Sequence, residues 1–210
     1  MKKISLITLL VFLLDQSLKV YIKTHFEIGE SVKIFPGFEI SFGENPGMAY
    51  GLHLGVGYGG KILLSILRLI LSSAILWWIG HHIKKGASNH FIIPMSLIFA
   101  GAIGNLVDSA FYGLIFDTGM VFDDLLGKWI SYKGISEFRI PGYSFFMGGS
   151  VVDMLCFPMI DSCLPEWVPY LGGQCFEFFK PIFNIADTAI SIGVVLLLLF
   201  TKRAFAHEER

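Results

Sequence analysis

The chain has 210 residues, of which 54% are hydrophobic and only 16% are charged, and its mean hydropathy is +0.65. This composition lies outside the usual range for a soluble domain of this length and favours a membrane protein. The formal net charge of -1 gives no basic surface for nucleic acid, and the 20 phenylalanines are more typical of lipid-facing and interfacial positions than of base stacking. We therefore expect membrane phospholipids as partners and no nucleic acid.

Four stretches of the chain are apolar and long enough to cross a hydrocarbon core of roughly 30 Å, which takes about 20 helical residues. They lie at about 4–22, 62–80, 91–112 and 182–201. The first follows Met1-Lys2-Lys3 in the manner of a signal peptide. Asp15 and Lys19 interrupt its apolar run and no small-x-small site follows, so we expect it to remain as a helix. The chain is predicted to be a mainly α membrane protein, a single membrane domain of residues 1–210 with four transmembrane helices.

The basic residues near the ends of these stretches predict the orientation of the chain. With four spans, one side of the membrane receives Lys2, Lys3, Lys84, Lys85, Lys202 and Arg203. An excess of Lys and Arg marks the cytoplasmic side, so both termini are expected to be cytoplasmic. The two long connections, at about 23–61 and 113–181, are then extracytoplasmic.

Both long connections contain patterns typical of β structure. Residues 32–42 alternate in the manner of a strand, and Ser150-Val151-Val152 is rich in β-branched residues after Gly148-Gly149. We expect a small sheet on the extracytoplasmic face. Segment 114–148, with Asp123-Asp124, many glycines and interleaved aromatics, is typical of a long surface insertion.

Polar residues inside the predicted spans indicate a functional site, because an ionisable group there costs several kcal/mol unless it is paired or lies in a wet cavity. Asp15 and Lys19 share a face of the first helix, while Asp108 and Asp187 lie on polar faces of the third and fourth. The same two faces hold Gly101, Gly104, Asn105, Asn184 and Ser191. At 1.5 Å per residue, Asp187, Asp15 and Asp108 lie roughly 8, 10 and 6 Å from the outer helix ends. Three carboxylates are therefore expected to meet at one level.

Two carboxyl groups held close together cannot both ionise readily, and such a pair can place a water between a base and an acid. This is the chemistry of an aspartic peptidase, and the chain contains neither HExxH nor GxSxG. The histidines and cysteines have no metal-ligand spacing, so we expect no metal and no cofactor. They include His25, His53, His81, His82, His90, Cys156, Cys163 and Cys175. The cysteines allow one disulfide, whose pairing the sequence does not choose, or three buried small side chains.

The residues alone leave three alternatives. The acidic cluster can be catalytic, or it can be a proton relay of Asp15, Asp108 and Asp187 in a small proton-coupled carrier. The protein can also be a membrane scaffold in which Gly101 and Gly104 serve close packing. Carriers usually have a midplane site and repeated halves, neither of which the sequence shows, and a scaffold does not explain the aspartates.

Five short motifs follow one another across nearly the whole chain. They are Asp15-Gln16-Ser17-Leu18-Lys19, Asn45-Pro46-Gly47-Met48-Ala49-Tyr50-Gly51, Gly101-Ala102-Ile103-Gly104-Asn105-Leu106-Val107-Asp108, Gly149-Ser150-Val151-Val152-Asp153 and Phe183-Asn184-Ile185-Ala186-Asp187. Together they resemble the motifs of bacterial lipoprotein signal peptidase (signal peptidase II), a family of aspartic peptidases. The resemblance implies four transmembrane helices in a bacterial inner membrane, both termini in the cytoplasm, and an outer β cradle. It also implies an endopeptidase that cleaves a prolipoprotein just before its diacylglyceryl-modified cysteine, and we expect a monomer.

By motif position, the resemblance makes Asp153 and Asp187 the catalytic pair. The positions that contact substrate or support the site are Asn45, Gly47, Asn105, Asp108, Asn184, Asp15 and Lys19. One catalytic aspartate would be protonated to polarise the scissile carbonyl and the other would activate water, but the sequence does not assign these roles. Acyl chains in the outer leaflet would hold the modified cysteine at the level of the carboxylates.

The chain departs from the family immediately after Asp108. Ser109 stands where the family usually has arginine, and we hypothesise that Arg68 of the second helix replaces it. Arg68 is predicted roughly 9 Å from the outer end of its helix, so its side chain could extend outward and pair with Asp108. A phospholipid headgroup or Asp15 is the alternative partner.

A second departure concerns the first catalytic aspartate. The family usually reaches this residue soon after the position of Asp108, where this chain has Asp117, whereas Asp153 lies 45 residues beyond Asp108. We favour Asp153 because residues 149–154 match the family strand in both valines. Asp117 leads instead into the acidic Asp123-Asp124 loop, an exposed setting in which a carboxyl group keeps a low pKa.

Overall fold

The computed structural model describes residues 2–49, 52–53, 57–158, 160–163, 175–178 and 180–206. Three of its helices are long and apolar enough to cross a membrane. They are α1 (Lys2–His25), α2 (Gly57–Lys84) and α3 (Asn89–Val107), the last continued by a π-helical turn (Asp108–Tyr112) and by α4 (Gly113–Ile115). The fourth predicted stretch forms the shorter apolar helix α5 (Ile185–Leu199), followed by α6 (Thr201–Phe205). The prediction of a mainly α membrane protein is confirmed.

α1 and α2 extend beyond the predicted apolar stretches at both ends, because backbone hydrogen bonding continues where the side chains become polar. α2 therefore continues to Lys84, just before a Schellman motif. Gly86 has a φ of +81°, and the N–H of Ala87 donates to the carbonyl of His82 at 3.0 Å. The short connection that follows returns the chain so that α3 packs beside α2.

α3 packs against α1, α2 and α5 and so connects the other helices. Two glycines permit this close approach. A methyl group at Gly101 would collide with the backbone carbonyl of Ala186, and one at Gly104 would lie 2.8 Å from Asp15 Oδ2. The glycines therefore bring the polar faces of α1, α3 and α5 into contact, as small residues commonly do between membrane helices.

Ten strands accompany the helices among the residues that the structure describes. They are β1 (Ser31–Phe35), β2 (Phe38–Asn45), β3 (Met48–Ala49), β4 (Leu52–His53), β5 (Val121–Asp123), β6 (Lys128–Ile130), β7 (Val151–Cys156), β8 (Ile160–Cys163), β9 (Cys175–Phe178) and β10 (Ile182–Phe183). Strands β1, β2, β7 and β10 form an antiparallel sheet in that order, so the prediction of a small sheet is confirmed. Residues 32–42 form a hairpin rather than one strand, because Pro36-Gly37 turns the chain and Gly37 has a φ of +87°.

The sheet packs at one end of the helices, which we call the sheet end. Its core consists of Ile22, Phe42, Tyr112, Phe116, Val152 and Met154. This core joins α1, the sheet and the end of α3. Within the sheet, Gly43 lies opposite Asp153 and Asn45 lies opposite Val151, so β2 and β7 hold the second and fourth motifs side by side.

The insertion, residues 114–148, is folded against the end of α3. β5 and β6 form a hairpin, and an isolated bridge joins Phe116 to Phe138. At its far end the Ser144 N–H donates to the Gly113 carbonyl at 2.8 Å, and the Gly149 N–H donates to the Ser109 carbonyl at 2.9 Å. The insertion thus begins and ends at nearly the same place. Asp108 and β7 therefore remain close in the fold despite the length of the insertion.

The cysteines occupy two different parts of the fold. Cys156 is buried in β7. The backbone of Cys163 lies opposite that of Cys175 in the β8–β9 pair, and the side chains of these two residues are outside what the structure describes.

Candidate active site

A buried ion-pair triad lies between α1 and the end of α3. Lys19 Nζ is 2.9 Å from Asp15 Oδ2 and 2.7 Å from Asp108 Oδ2, and all three side chains are almost wholly buried. Gln16 Nε2 donates to Asp108 Oδ1 at 2.8 Å. The N–H of Ala186 donates to Asp15 Oδ1 at 2.8 Å, which satisfies a free donor in the first turn of α5. The triad therefore fixes three helices relative to one another.

Two asparagine side chains connect this triad to the two aspartates of the predicted catalytic pair. Lys19 Nζ donates to Asn105 Oδ1 at 2.9 Å, which directs the other end of that amide to Asp187. Asn105 Nδ2 then donates to Asp187 Oδ1 at 2.7 Å. Asn184 Nδ2 donates to Asp153 Oδ1 at 2.7 Å and to Asn105 Oδ1 at 3.2 Å. Asp153 and Asp187 thus belong to one hydrogen-bond network.

Asp187 lies in the first turn of α5, where Asn184 is the N-cap. The Asp187 N–H donates to Asn184 Oδ1 at 2.9 Å, and the Asn184 N–H donates to Asp187 Oδ2 at 3.4 Å, which is a capping box. The positive end of a helix stabilises a carboxylate in this position. The polar residues Asn184 and Asp187 therefore form the start of α5. This helix begins later than the predicted residue 182 because Asn184 caps it.

Asp153 lies on β7 with only 7% of its surface exposed. Burial, followed by the charge of Asp187, raises the pKa of Asp153 to about 8, against smaller opposing effects of Lys19 and the bond from Asn184. A carboxyl group with this pKa keeps its proton at neutral pH. The charge of Asp187 thus helps to keep Asp153 protonated, as expected for a buried carboxyl group near a second carboxylate.

Asp117, the alternative to Asp153, has different partners. The N–H of Glu137 donates to Asp117 Oδ1 at 2.8 Å, and the Ser136 hydroxyl donates to the same oxygen at 3.1 Å. Its slight desolvation acts to raise the pKa of Asp117, but these hydrogen bonds outweigh it and hold the pKa below its usual value. Asp117 is therefore bonded to residues of the insertion and stabilises the fold of that segment.

Arg68 bonds to Ser109, the residue that stands in place of the family's arginine. Its Nη1 donates to Ser109 Oγ at 2.7 Å, and that hydroxyl donates to the Asn105 carbonyl at 3.1 Å. This contact stands in place of the hypothesised pairing with Asp108, whose oxygens accept from Lys19 and Gln16. Arg68 still lies within electrostatic range of Asp108, Asp187 and Asp153.

The Asn45-Pro46-Gly47 turn follows β2 and lies against α2. The Gly47 N–H donates to Asn45 Oδ1 at 2.8 Å, and Gly47 has a φ of +116°. A methyl group at Gly47 would lie 2.8 Å from Leu64 Cδ2 on α2, a flexible side-chain end that can shift, so it is the conformation that favours glycine here. The last residues of this motif, Tyr50-Gly51, lie outside the described residues.

The match to known proteins is extensive. The family described as Signal peptidase (SPase) II matches residues 7–203. This chain belongs to the signal peptidase II family. The lipoprotein signal peptidase of Porphyromonas gingivalis is 38% identical over 205 residues, 96% of this chain and 84% of that protein. The lipoprotein signal peptidase of Amoebophilus asiaticus is 34% identical over 94% of this chain and 76% of that protein. A solved bacterial membrane enzyme superposes with a TM-score of 0.60 at 25% identity, covering 96% of this chain and 93% of that one.

Four polar residues of the site region were not indicated by the sequence patterns. They are Gln16, Lys23, Glu44 and Lys61. Lys23 continues the spacing of Asp15 and Lys19 by one more helical turn, so periodicity could have placed it on the same face. Lys61 lies seven residues before Arg68, which also places both on one face of α2.

Proposed function

We propose that Asp153 and Asp187 are the catalytic dyad of an aspartic endopeptidase. The family and its curated relatives are lipoprotein signal peptidases, and this chain removes signal peptides from prolipoproteins. The observation that carries the proposed dyad is the pair of linked amides, because Asn105 and Asn184 contact each other and each donates to one aspartate. Groups bound in this way are held in a fixed relation before substrate arrives.

In this proposal each member of the dyad has a separate role, which the electrostatics of Asp153 support. Asp153, whose pKa is raised to about 8, is the acid, and Asp187, in the first turn of α5, is the base. Asp187 takes a proton from water as the oxygen attacks the scissile carbonyl, and Asp153 gives its proton to the carbonyl oxygen. When the C–N bond breaks, Asp187 returns its proton to the leaving nitrogen, and Asp153 recovers one from the tetrahedral intermediate. Both groups end in their starting states.

The proposed substrate is a prolipoprotein whose cysteine already carries a diacylglyceryl group, cleaved just before that cysteine. In this proposal α5 is the fourth span, the sheet end faces outward as a β cradle, and both termini lie in the cytoplasm of a bacterial inner membrane. β1 exposes the apolar side chains of Val32, Ile34 and Phe35, which suits a sheet that rests on the lipid interface. Acyl chains in the bilayer would hold the scissile bond near the dyad, which lies where α5 begins.

The carrier alternative has no support from the family match. Its relay would need Asp15 and Asp108 to exchange protons, whereas both are bonded to Lys19 in a buried triad.

The test is to incubate the purified monomeric enzyme in detergent with matched prolipoproteins that carry or lack the diacylglyceryl group. We expect release of the signal peptide from the modified substrate alone, with the new N-terminus at the lipidated cysteine. Cleavage at another bond, or equal cleavage of the unmodified protein, would contradict the proposed specificity.

A further inference from the structure

Lys23 and Glu44 form a buried ion pair beside the proposed active site. Both side chains are almost wholly inaccessible, and Lys23 Nζ contacts Glu44 Oε1 directly. Three groups of the insertion complete the arrangement. Lys23 also donates to the Thr118 carbonyl at 2.9 Å, while the Tyr132 hydroxyl donates to Glu44 Oε1 and the Met120 N–H to Glu44 Oε2, both at 2.9 Å. The insertion thus satisfies a charge pair whose two members lie outside it.

Aromatic rings of the insertion also enclose the Lys23 ammonium. Its Nζ lies 5.1 Å from the ring centroids of Phe116 and Tyr132 and 5.4 Å from that of Tyr143. Tyr143 continues the connection to the sheet, because its hydroxyl accepts a bond from the Ser150 N–H at 2.7 Å. Cation–π contacts of a desolvated lysine stabilise such an enclosure.

A second buried lysine contacts the chain two residues after Glu44. Lys61, near the start of α2, is only 4% exposed and donates to the Pro46 carbonyl at 3.2 Å. The ring of Trp129, from β6 of the insertion, lies 5.8 Å from its Nζ and packs on Tyr58 of α2 at 5.2 Å. The β5–β6 hairpin therefore covers Lys61 as the rest of the insertion covers Lys23.

We propose that the insertion positions the Asn45-Pro46-Gly47 turn for substrate binding by holding these two lysines on either side of it. Glu44 precedes the turn and Pro46 lies within it, so Lys23 and Lys61 fix the three residues from Glu44 to Pro46. Burial of two ammonium groups is unfavourable unless each is bonded, and apolar side chains would serve stability as well. The proposal rests on the proposed function and on the family resemblance, which implies that Asn45 and Gly47 contact substrate or support the site.

The test compares steady-state cleavage of diacylglyceryl-modified prolipoprotein by four variants and wild type. Lys61→Met removes the bond to Pro46, and Tyr132→Phe removes only the hydroxyl bonded to Glu44. Lys61→Arg keeps a charged donor, and Lys128→Met is the matched control because it removes an exposed lysine from the same insertion.

We expect Lys61→Met to raise KM about tenfold with kcat within about twofold, since a bond from a charged donor is lost from a binding element. Tyr132→Phe should raise KM several-fold, Lys61→Arg should recover most of the loss, and Lys128→Met should match wild type. Wild-type KM in both Lys61→Met and Tyr132→Phe would overturn the proposal, as would a fall in kcat at unchanged KM. If Lys61→Met does not fold, the KM values of Tyr132→Phe and Lys61→Arg test the proposal. The proposed dyad is tested separately, and it is wrong if Asp153→Asn remains active.

Discussion

Replacement of Asp153 by asparagine should make the protein more stable while abolishing its activity. The pKa of Asp153 rises from 3.8 in the reference state to about 8 in the fold. A carboxyl group whose pKa is raised on folding destabilises the native state above its unfolded pKa, and each unit corresponds to 1.36 kcal/mol. The penalty is on the order of 4 kcal/mol at pH 7, and it disappears as the pH falls toward 4. The asparagine side chain has no charge to desolvate, and its oxygen can still accept the bond from Asn184.

The assay is thermal unfolding of wild type and Asp153→Asn in the same detergent between pH 4.5 and 8.5, alongside prolipoprotein cleavage. We expect the smallest difference in melting temperature at pH 4.5, where about 1 kcal/mol of the penalty remains, an increasing advantage for the variant as the pH rises, and no cleavage at any pH. A variant that melts below wild type at pH 8, or whose advantage does not change with pH, would refute the argument that Asp153 is a buried acid. Residual cleavage near the wild-type rate would refute its place in the dyad.

Further predictions concern the other charged groups. Asp187→Asn should also abolish cleavage, because a dyad that lacks one member fails as a unit. This variant should still show the cooperative melting transition of a folded protein. Asp117→Asn should cleave at close to the wild-type rate in the same assay, and a dead Asp117 variant beside an active Asp153→Asn would reverse the assignment. Lys19→Met should lower the free energy of unfolding by about 3–5 kcal/mol, because it leaves Asp15 and Asp108 buried without their cation. Incubation with EDTA should leave the cleavage rate unchanged, and a loss restored by zinc would contradict a metal-free mechanism.

The sequence predicted which residues of the helices lie close together better than it predicted the hydrogen-bond partner of each side chain. A regular rise per residue places Asp15 and Asp108 at one level, and helical spacing pairs Lys19 with Asp15. The partner of Arg68 could not be derived in this way, because it depends on which residue of the third helix packing brings to the guanidinium, here Ser109. Such a contact is a property of the packed site rather than of any one helix.

Contacts between residues far apart in the sequence explain the other differences between the predicted and the observed structure. Spacing alone made Asp117 a plausible catalytic residue, since nothing local reveals that the insertion closes on itself between Gly113 and Gly149. The contacts of Lys23 with Glu44, 21 residues later, and with Tyr132 in the insertion are equally invisible in the sequence. The small sheet was predictable as an element, but its order β1-β2-β7-β10 joins strands from distant parts of the chain.

The spacing of Asp15 and Lys19 has a consequence for the biogenesis of the protein. α1 is synthesised long before α3, so during its insertion the only anion of the triad available to Lys19 is Asp15, one turn away on the same helix. A neutral pair crosses into the bilayer more easily than two separate charges, each of which costs roughly 2.5–3.5 kcal/mol at a helix centre. When α3 follows, Asp108 meets a lysine that is already in place. The order of synthesis thus lets the first helix act as a template against which the third finds its depth and rotation.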